Sequence, residues 1–374
     1  MRIALVTAAL ACFAALLIAQ QPSSLPATAP AAGPATTSAP TTAPADVLFM
    51  VTQGRRVGWI DRNGKTIIDL KFGNDPTAGA SIEDFHEGLA RVMIDKKWGY
   101  IDRTGKLAIE PQFEFAERFS HGLAPVKKGG KYGYINARGE FKIGAQFDAA
   151  WPFAEGLAMF QQVRRDQNNK RLFGFVDVRG VTVIEPQEFD DVGYYFSDGR
   201  FRFRKGEKHG FIDRAGKIVI EPKFETAMNF VDGVAPAAEK RGQMGLIDKK
   251  GDWVVKPEHL VVGTLSEGLI PFLPKGGKLW GYMDKTGKVL IEPQFSFAGA
   301  FSEGLAAVYS TPAMLGNVIV KFPRGGYIDK TGKLVIQIQF MECSPFRNGL
   351  AQVLLDGRKV AYIDPQGNFV WKAE

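Results

Sequence analysis

Cysteine and histidine are scarce in this chain of 374 residues, which contains two cysteines and four histidines. Cys12 lies in an N-terminal segment that we expect to be removed, so Cys343 is left as a single thiol without an internal disulfide partner. No histidine lies near another histidine or a cysteine at metal-ligand spacing; they are His86, His121, His209 and His259. His86 and His121 lie at turn positions that Glu155 or Glu303 occupies in other repeats, so we interpret these two histidines and two glutamates as ordinary turn residues. Packing, rather than disulfide bonds, must therefore stabilise the fold.

Motifs of the common enzyme classes are also missing. The chain has no Walker loop, Rossmann fingerprint, nucleophile elbow or zinc-protease motif. Cys343 lies in "FMECSPF", which lacks a catalytic signature and favours a buried small residue. The sequence therefore predicts a protein that is not an enzyme and that uses no cofactor.

Charge of one sign is not in large excess. Lysine and arginine number 47 and acidic residues 40, a net charge of +7 that permits an anionic partner without requiring one.

A long apolar run occurs only at the N-terminus, where Arg2 is followed by apolar and small residues from Ile3 to Ala19. Residues 1–20 are predicted to be a signal peptide, and an uncleaved membrane anchor through residues 3–19 is the alternative. Residues 21–45 are rich in Pro, Ala and Thr and uncharged, which predicts a disordered spacer. We expect an exported protein, either periplasmic, at the cell surface or secreted, and this argues against nucleic acid as a partner.

Glycine is abundant and periodic. A Gly-aromatic-Ile-Asp signature recurs at spacings of 34 to 45 residues, and a second glycine follows each anchor six residues later. The anchors of the nine repeats are Gly58, Gly99, Gly133, Gly174, Gly210, Gly245, Gly281, Gly326 and, in the degenerate ninth copy, Ala361.

Each repeat is predicted to form three short antiparallel strands. Strand A holds the signature ("KWGYID", 97–102), and an Asp-x-x-Gly turn connects it to strand B ("KLAIEP", 106–111). Strand B is predicted to end at its proline. Strand C ("GLAPVKK", 122–128) follows and is connected to the next strand A by a basic tip. In the connector from strand B to strand C, Phe-x-x-Ala-x-x-Phe spacing predicts one helical turn that packs both rings on the neighbouring repeat.

Nine such units span residues 46–374, and each can bury its faces only against its neighbours. The sequence thus predicts an all-β tandem array of about nine three-stranded antiparallel units. Most repeats have 34 to 36 residues, which favours an open solenoid-like superhelix over the alternative, a closed β-propeller-like ring.

The repeats resemble the WG-repeat, or KWG-repeat, family of bacterial proteins. The resemblance rests on "KKWGYIDRTGKLAIEPQF" (96–113) and "FSEGLAAV" (301–308), covers 46–374, and is weakest in copies 6 and 9. It implies a non-catalytic repeat scaffold and does not identify a ligand.

An aspartate begins nearly every A–B turn, with Asn136 in its place in the third repeat. One carboxylate per repeat cannot supply the six or more oxygens that a hard cation needs, so we interpret these residues as turn formers and predict no metal site.

Aromatic residues before the anchor glycine are candidate ligand contacts. They either pack between repeats or form an exposed ladder that stacks on sugar rings, and we expect this position to be more exposed than the one after the glycine. The candidates are Trp98, Tyr132, Phe173 and Trp280.

The C–A tips are basic and are predicted to line one edge of the array. Charged tips commonly serve solubility, but the stripe could also bind an anionic partner, and two of three long repeat spacings arise from insertions at these tips. The candidates are Lys127, Lys128, Lys131, Arg164, Arg165, Lys170, Arg171, Lys275 and Lys278.

Together these features predict a non-enzymatic scaffold that mediates protein–protein interaction in the bacterial cell envelope, with a possible N-terminal membrane tether. The alternative is a protein that binds an anionic envelope polysaccharide or peptidoglycan through the aromatic positions and the basic edge.

Overall fold

The computed structural model describes residues 47–73, 82–165, 169–310 and 323–373. The predicted signal peptide or anchor and the predicted spacer lie outside these ranges. Within them, no helix has the length and apolar character needed to cross a bilayer.

Regular structure in the described ranges is antiparallel β-strand, apart from a three-residue 3-10 segment at Asp356–Arg358. The strands are β1 (Phe49–Gln53), β2 (Arg56–Ile60), β3 (Thr66–Gly73), β4 (Leu89–Ile94), β5 (Lys97–Asp102), β6 (Leu107–Phe113), β7 (Phe115–Ala116), β8 (Ala124–Lys128), β9 (Lys131–Ile135), β10 (Phe141–Phe147), β11 (Ala149–Ala150), β12 (Leu157–Arg164), β13 (Lys170–Asp177), β14 (Thr182–Gln187), β15 (Asp191–Val192), β16 (Phe201–Lys205), β17 (Lys208–Ile212), β18 (Ile218–Phe224), β19 (Thr226–Ala227), β20 (Val234–Lys240), β21 (Gln243–Asp248), β22 (Trp253–Val262), β23 (Ile270–Pro274), β24 (Trp280–Met283), β25 (Val289–Phe295), β26 (Phe297–Ser302), β27 (Leu305–Ser310), β28 (Arg324–Ile328), β29 (Leu334–Phe340), β30 (Glu342–Cys343), β31 (Ala351–Leu354), β32 (Val360–Ile363) and β33 (Phe369–Lys372).

Strands C, A and B of each repeat form the predicted antiparallel meander. Repeats 1 and 2 are the three-stranded sheets β1-β2-β3 and β4-β5-β6, whereas repeats 3, 4, 5, 8 and 9 are four-stranded. Repeats 6 and 7 share a seven-stranded sheet, β19 to β25, because the long strand β22 pairs with both β21 and β23. The prediction of an all-β tandem array is confirmed.

The fourth strand comes from the connector, where a helical turn was predicted. In repeat 3, Phe115 and Ala116 pair with Lys127 and Val126 at the free edge of strand C. That edge offers unpaired backbone N–H and C=O groups, and the connector satisfies them by extending rather than by coiling. The predicted helical turn is therefore wrong, although both predicted rings are buried, Phe113 and Phe119 at 0% and 2% exposure.

The anchor glycine is required by a bulge between strands A and B. In repeat 2 the pairing shifts between Trp98↔Phe113 and Tyr100↔Ile109. A Cβ on Gly99 would lie 2.6 Å from the carbonyl oxygen of Ile109, so only glycine fits. Strand B consequently continues beyond its proline, which was predicted to end it.

The ninth repeat has alanine in place of the anchor glycine, and its strand pairing explains why. Ala361 pairs with Lys372 and Tyr362 with Trp371, without a register shift between them. Because strand B does not cross over this position, a Cβ is accommodated, and Ala361 is fully buried.

The hydrophobic core lies between neighbouring repeats, as predicted. One cluster joins Trp98, Tyr100 and Phe113 of repeat 2 to Phe119 and Ile135 of repeat 3. Burial of apolar surface between repeats therefore drives the stacking.

The first repeat packs on the ninth. The Tyr362 hydroxyl donates to the carbonyl of Met50 at 2.7 Å, and the rings of Phe49 and Tyr362 are 5.8 Å apart. The same arrangement occurs inside the array, where the Tyr134 hydroxyl is 3.4 Å from the carbonyl of Met159 in the next repeat. Repeat 1 therefore packs on repeat 9 in the same way as repeat 4 packs on repeat 3.

These contacts correct the preference for an open superhelix, because the array is a closed propeller-like ring. Repeat length misled the prediction, since the connector strand turns a three-stranded unit into a four-stranded sheet without added residues. The closing bond also joins positions 312 residues apart, which no local pattern reveals.

Candidate interaction surfaces

The ring presents two faces that differ in construction. In each sheet the end of strand A lies beside the start of strand C, as the pairing of Asp102 with Leu89 shows. The A–B turns and the turns that precede strand C therefore share one side, here called the turn face. The C–A tips lie on the other side, here called the tip face.

Turn aspartates use their carboxylates on the backbone of their own turn. Oδ1 of Asp61 accepts hydrogen bonds from the amides of Asn63 at 2.8 Å and Lys65 at 2.9 Å. All nine repeats form the equivalent pair of bonds, with Asn136 as the acceptor in the third. Our interpretation of these residues as turn formers is confirmed.

These bonds favour the ionised carboxylate. At Asp102 the Thr104 hydroxyl donates to Oδ1 and holds the pKa of the carboxyl below its ordinary value. Among the described residues, no group of three or more His, Cys, Asp or Glu side chains is placed to hold a metal ion.

A second turn, before strand C, links each repeat to the next. Glu87 and Gly88 both have positive φ, 51° and 83°, as the central residues of a type I′ turn do. Oε2 of Glu87 accepts the amide of Gly122, in the equivalent turn of repeat 3, at 2.9 Å. Equivalent bonds join Glu155 to Gly199, Asp198 to Gly233, Glu267 to Gly304 and Glu303 to Gly349.

Cations of the A–B turns complete this network. Lys249 of repeat 6 pairs with Asp198 of repeat 5 at 2.5 Å, and Lys330 of repeat 8 pairs with Glu267 of repeat 7 at 3.0 Å. Across the closing junction, Arg62 of repeat 1 donates to the carbonyl of Asn348 of repeat 9 at 2.7 Å. The acids in the turns before strand C thus hold the following repeat in register.

Sequence reasoning missed this function. It treated His86, His121, Glu155 and Glu303 as ordinary turn residues, although a polar side chain precedes a glycine in each of these turns. His121 substitutes for the carboxylate, since its Nε2 accepts the amide of Gly156 at 3.3 Å. The recurring pair of an acceptor and a glycine was the available signal.

The tip face carries the predicted basic residues at several repeats rather than in one cluster. Two of the half-buried cations pair with acids of the following repeat: Lys131 with Asp148 at 2.6 Å and Lys170 with Glu188 at 2.5 Å. Exposed members of the predicted set are Lys128, Arg164, Arg165, Arg171, Lys275 and Lys278, and Lys127 is half-buried. The basic edge therefore exists, but it is partly neutralised.

A polar cleft opens beside one of these tips, between repeats 3 and 4. Its volume is about 420 Å³, and Gln146, Gln162, Arg164, Thr182 and Glu185 line it together with apolar side chains. Arg164 is thus a predicted candidate that lies in a concave site.

The aromatic candidates do not form an exposed ladder. Trp98, Phe173 and Trp280 are 2%, 6% and 7% exposed, and only Tyr132 among the four is half-buried, with Lys127 Nζ 5.8 Å from its ring centre. The position before the glycine is more exposed than the one after it, as predicted, but a ring stacked on a sugar needs an open face. The buried rings pack between repeats, which is the first of the two interpretations, and the alternative of an exposed ladder is not supported.

Cys343 is buried beside Tyr309 and Tyr327, and burial raises the pKa of its thiol to about 12. The thiolate needed for nucleophilic chemistry is therefore disfavoured.

A family profile described as "WG containing repeat" matches eight consecutive segments, 58–98, 98–132, 132–162, 173–208, 210–239, 244–278, 280–309 and 326–358. No curated protein sequence matches the chain. Among solved structures it is similar to one titled "Crystal structure of the eukaryotic initiation factor", with a TM-score of 0.57 at 10% identity over 88% of this chain and 96% of that one.

Lower scores relate the chain to two further structures. BamB from Moraxella catarrhalis gives a TM-score of 0.41 at 14% identity over 84% of this chain and 99% of that one. The computationally designed Ika8 protein gives 0.41 at 11% identity over 75% of this chain and 94% of that one. Because the profile covers most of the sequence, and its signature residues build the sheets and junctions described above, this chain belongs to the family of WG-containing repeat proteins.

Proposed function

We propose that this WG-repeat protein is a non-enzymatic scaffold that mediates protein–protein interaction in the bacterial cell envelope. The observation that carries the proposal is the use of the repeat signature. Its glycines fit the bulges, its tyrosines bond the next repeat, and its aspartates form the turns. The signature therefore encodes the frame, and two of the three long insertions between signatures lie at the tips.

Support for a binding rather than a catalytic role comes from how the titratable groups are used. Carboxyls with a lowered pKa, such as Asp177 and Asp329, bond their own turns. Tyrosines with a raised pKa, such as Tyr134 and Tyr282, are buried and donate to backbone carbonyls. Both uses are structural.

Export is part of the proposal and rests on the sequence of residues 1–20. Fractionation of the native host, with intact mass measurement of the recovered chain, tests it. Recovery outside the cytoplasm supports export, and the mass separates cleavage near Ala19 from a retained anchor. Recovery in the cytoplasm contradicts the envelope location.

The interaction is tested by capture from envelope extract with the full chain as bait. We expect the wild type to retain a stoichiometric protein that a tip-face variant, Arg164→Glu/Arg165→Glu, retains less well. A matched control, Lys106→Glu/Lys333→Glu, makes the same charge change on exposed turn-face lysines and should retain it. Equal retention by all three baits contradicts a partner on the tip face.

The second candidate function is binding of an anionic envelope glycan. The exposed cations Lys275 and Lys278 support it, whereas the buried Trp98 and Trp280 do not. Binding to isolated peptidoglycan that is lost at about 0.5 M salt, where the Debye length falls to a few ångströms, would favour this function over a packed protein interface.

A further inference from the structure

Repeats 2 and 5 provide an internal comparison, because their strands C and A and the connectors that follow align at a constant offset of 111 residues. Arg91 and Arg202 occupy the same position on strand C. Each donates from Nη1 to the carbonyl of the last residue in the next repeat's connector strand: Arg91 to Ala116 at 2.8 Å and Arg202 to Ala227 at 3.0 Å. The two guanidinium groups are therefore held in the same way.

Arg91 is neutralised within the chain. It is 5% exposed, and its guanidinium pairs with Glu83 at 2.7 Å and with Glu117 at 2.9 Å. Glu83 precedes strand C of repeat 2, and Glu117 belongs to the connector of repeat 3. Two carboxylates thus enclose the buried cation, as the cost of desolvating a charge requires.

Arg202 lacks both carboxylates. Tyr194 stands where repeat 2 has Glu83, and Met228 stands where repeat 3 has Glu117. Nε of Arg202 is buried and has no hydrogen-bond partner among the described residues. Asp191 is near and favours the charged guanidinium electrostatically, but the ion pair that it forms is with Arg204, at 3.9 Å.

The surroundings confirm that the cation is poorly compensated. Burial lowers the pKa of Arg202, and burial together with Arg202 lowers the pKa of His209, which replaces Trp98 beside the guanidinium. Tyr194 is 57% exposed, so the place of Glu83 opens to solvent in repeat 5. Arg202 itself is half-buried with its Nε enclosed, so an acceptor that enters from this side meets the Nη groups.

We propose that the junction of repeats 5 and 6 is a carboxylate-binding site in which Arg202 binds the ligand through its Nη1–Nη2 edge, the edge that the two glutamates contact on Arg91. The ligand's oxygens take the place that glutamate oxygens fill around Arg91, and a planar carboxylate matches this edge in a bidentate pair. The chemical class is a carboxylate, carried by a small organic acid or by an acidic residue of a peptide. This site is independent of the tip face and of the function proposed above.

The test is thermal unfolding and calorimetric titration of the full chain at constant ionic strength. Glutarate and a terminally blocked peptide with one glutamate are the probes, with chloride and inorganic phosphate as references. A midpoint that rises and saturates with glutarate, but not with chloride, supports a carboxylate site. Response to the peptide alone identifies an acidic peptide as the source, whereas phosphate as effective as both probes contradicts carboxylate recognition.

Three variants test whether Arg202 binds the carboxylate. Met228→Glu supplies the missing internal carboxylate, so it should raise the unfolding midpoint without ligand and weaken glutarate binding about tenfold or more. Arg202→Met should also abolish the response, and Arg204→Met should retain it. If Met228→Glu binds glutarate as well as the wild type, or if the wild type shows no carboxylate response, the proposal is wrong.

Discussion

At the residue scale, one side chain in each turn before strand C decides how two repeats are joined. A carboxylate can accept the glycine amide of the next turn and also pair with a cation there, as Glu267 does with Gly304 and Lys330. A charged acceptor makes a stronger bond to an amide than a neutral one. The identity of this residue therefore tunes the strength of each junction.

His121 is the natural exception, and it gives a prediction. Its neutral Nε2 accepts the Gly156 amide at 3.3 Å, a longer bond than that from Gly122 to Glu87. His121→Glu should raise the free energy of unfolding by about 0.5–1 kcal/mol because it restores a charged acceptor. Chemical denaturation measures this, and His121→Ala, which removes the acceptor, is the matched control. A destabilised glutamate variant would contradict the role of this turn.

His86 gives a prediction about pH. Burial, with Arg118 nearby, lowers the pKa of His86 to about 4 from its ordinary 6.5. Between these two pH values His86 is unprotonated in the folded chain, whereas the histidine of the unfolded chain gains a proton. The free energy of unfolding therefore decreases as the pH falls from about 6.5 towards 4, by at most about 3 kcal/mol.

The comparison with His86→Ser isolates this effect, because serine stands at the equivalent positions 120 and 197 and the other charges around His86 (Glu83, Arg91, Arg118 and Arg347) stay in place. We expect the free energy of unfolding of the serine variant to rise relative to that of the wild type as the pH falls through that window. Denaturation at several pH values measures this difference. Parallel pH profiles would show that His86 is freely protonated in the folded state.

At the element scale, the bulge between strands A and B explains the most regular residue of the sequence. The pairing of strands A and B could be predicted from the Gly-aromatic-Ile-Asp pattern. The turns could also be predicted, since aspartate and glycine at fixed spacing favour a turn through local hydrogen bonds and positive φ. The connector strand could not, because Phe115 and Ala116 extend only when the edge of β8 is beside them. Tertiary pairing overrode the local Phe-x-x-Ala-x-x-Phe signal.

The bulge leads to a prediction for two strand glycines that differ in surroundings. Gly99→Ala should cost about 3 kcal/mol or more, because the new methyl group would meet the Ile109 carbonyl and the Pro111 backbone. Gly144→Ala is the matched control, since a Cβ at Gly144 has no atom within 4 Å. Thermal or chemical unfolding of the two variants measures the difference, and equal stability would rule out the close approach.

At the scale of the whole molecule, closure makes the terminal repeats equivalent to the internal ones. Cores between adjacent repeats were predictable from the phenylalanines, because each sheet needs a neighbour. The site prediction was less successful: the basic tips could be located from their lysines and arginines, but the burial of Trp98 and Trp280 depends on which neighbour covers them. Closure itself depends on long-range contacts such as that between Phe49 and Tyr362.

Closure also predicts how one tyrosine behaves. Tyr362→Phe removes the bond to the Met50 carbonyl, and Tyr282→Phe removes the bond from the equivalent tyrosine of repeat 7 to the Gly299 carbonyl in repeat 8, at 2.8 Å. Both should lower the free energy of unfolding by about 1 kcal/mol, since each leaves a carbonyl without its donor. Equilibrium denaturation provides the comparison. If only Tyr282→Phe destabilises the protein, the ends are not joined in solution.

The network on the turn face has a direction, because the acid of one repeat holds the amide or the cation of the next, and repeat 9 holds repeat 1 through Asn348 and Arg62. In this respect the protein resembles a cyclic oligomer whose subunits are joined head to tail and also happen to be covalently linked. Peptide bonds at the C–A tips then add little to the integrity of the ring. A single cut by a protease at one tip would leave two segments joined by the pairing of strands C and A in the cut sheet and by the closing junction of repeats 9 and 1, and the nicked ring would persist as a folded complex.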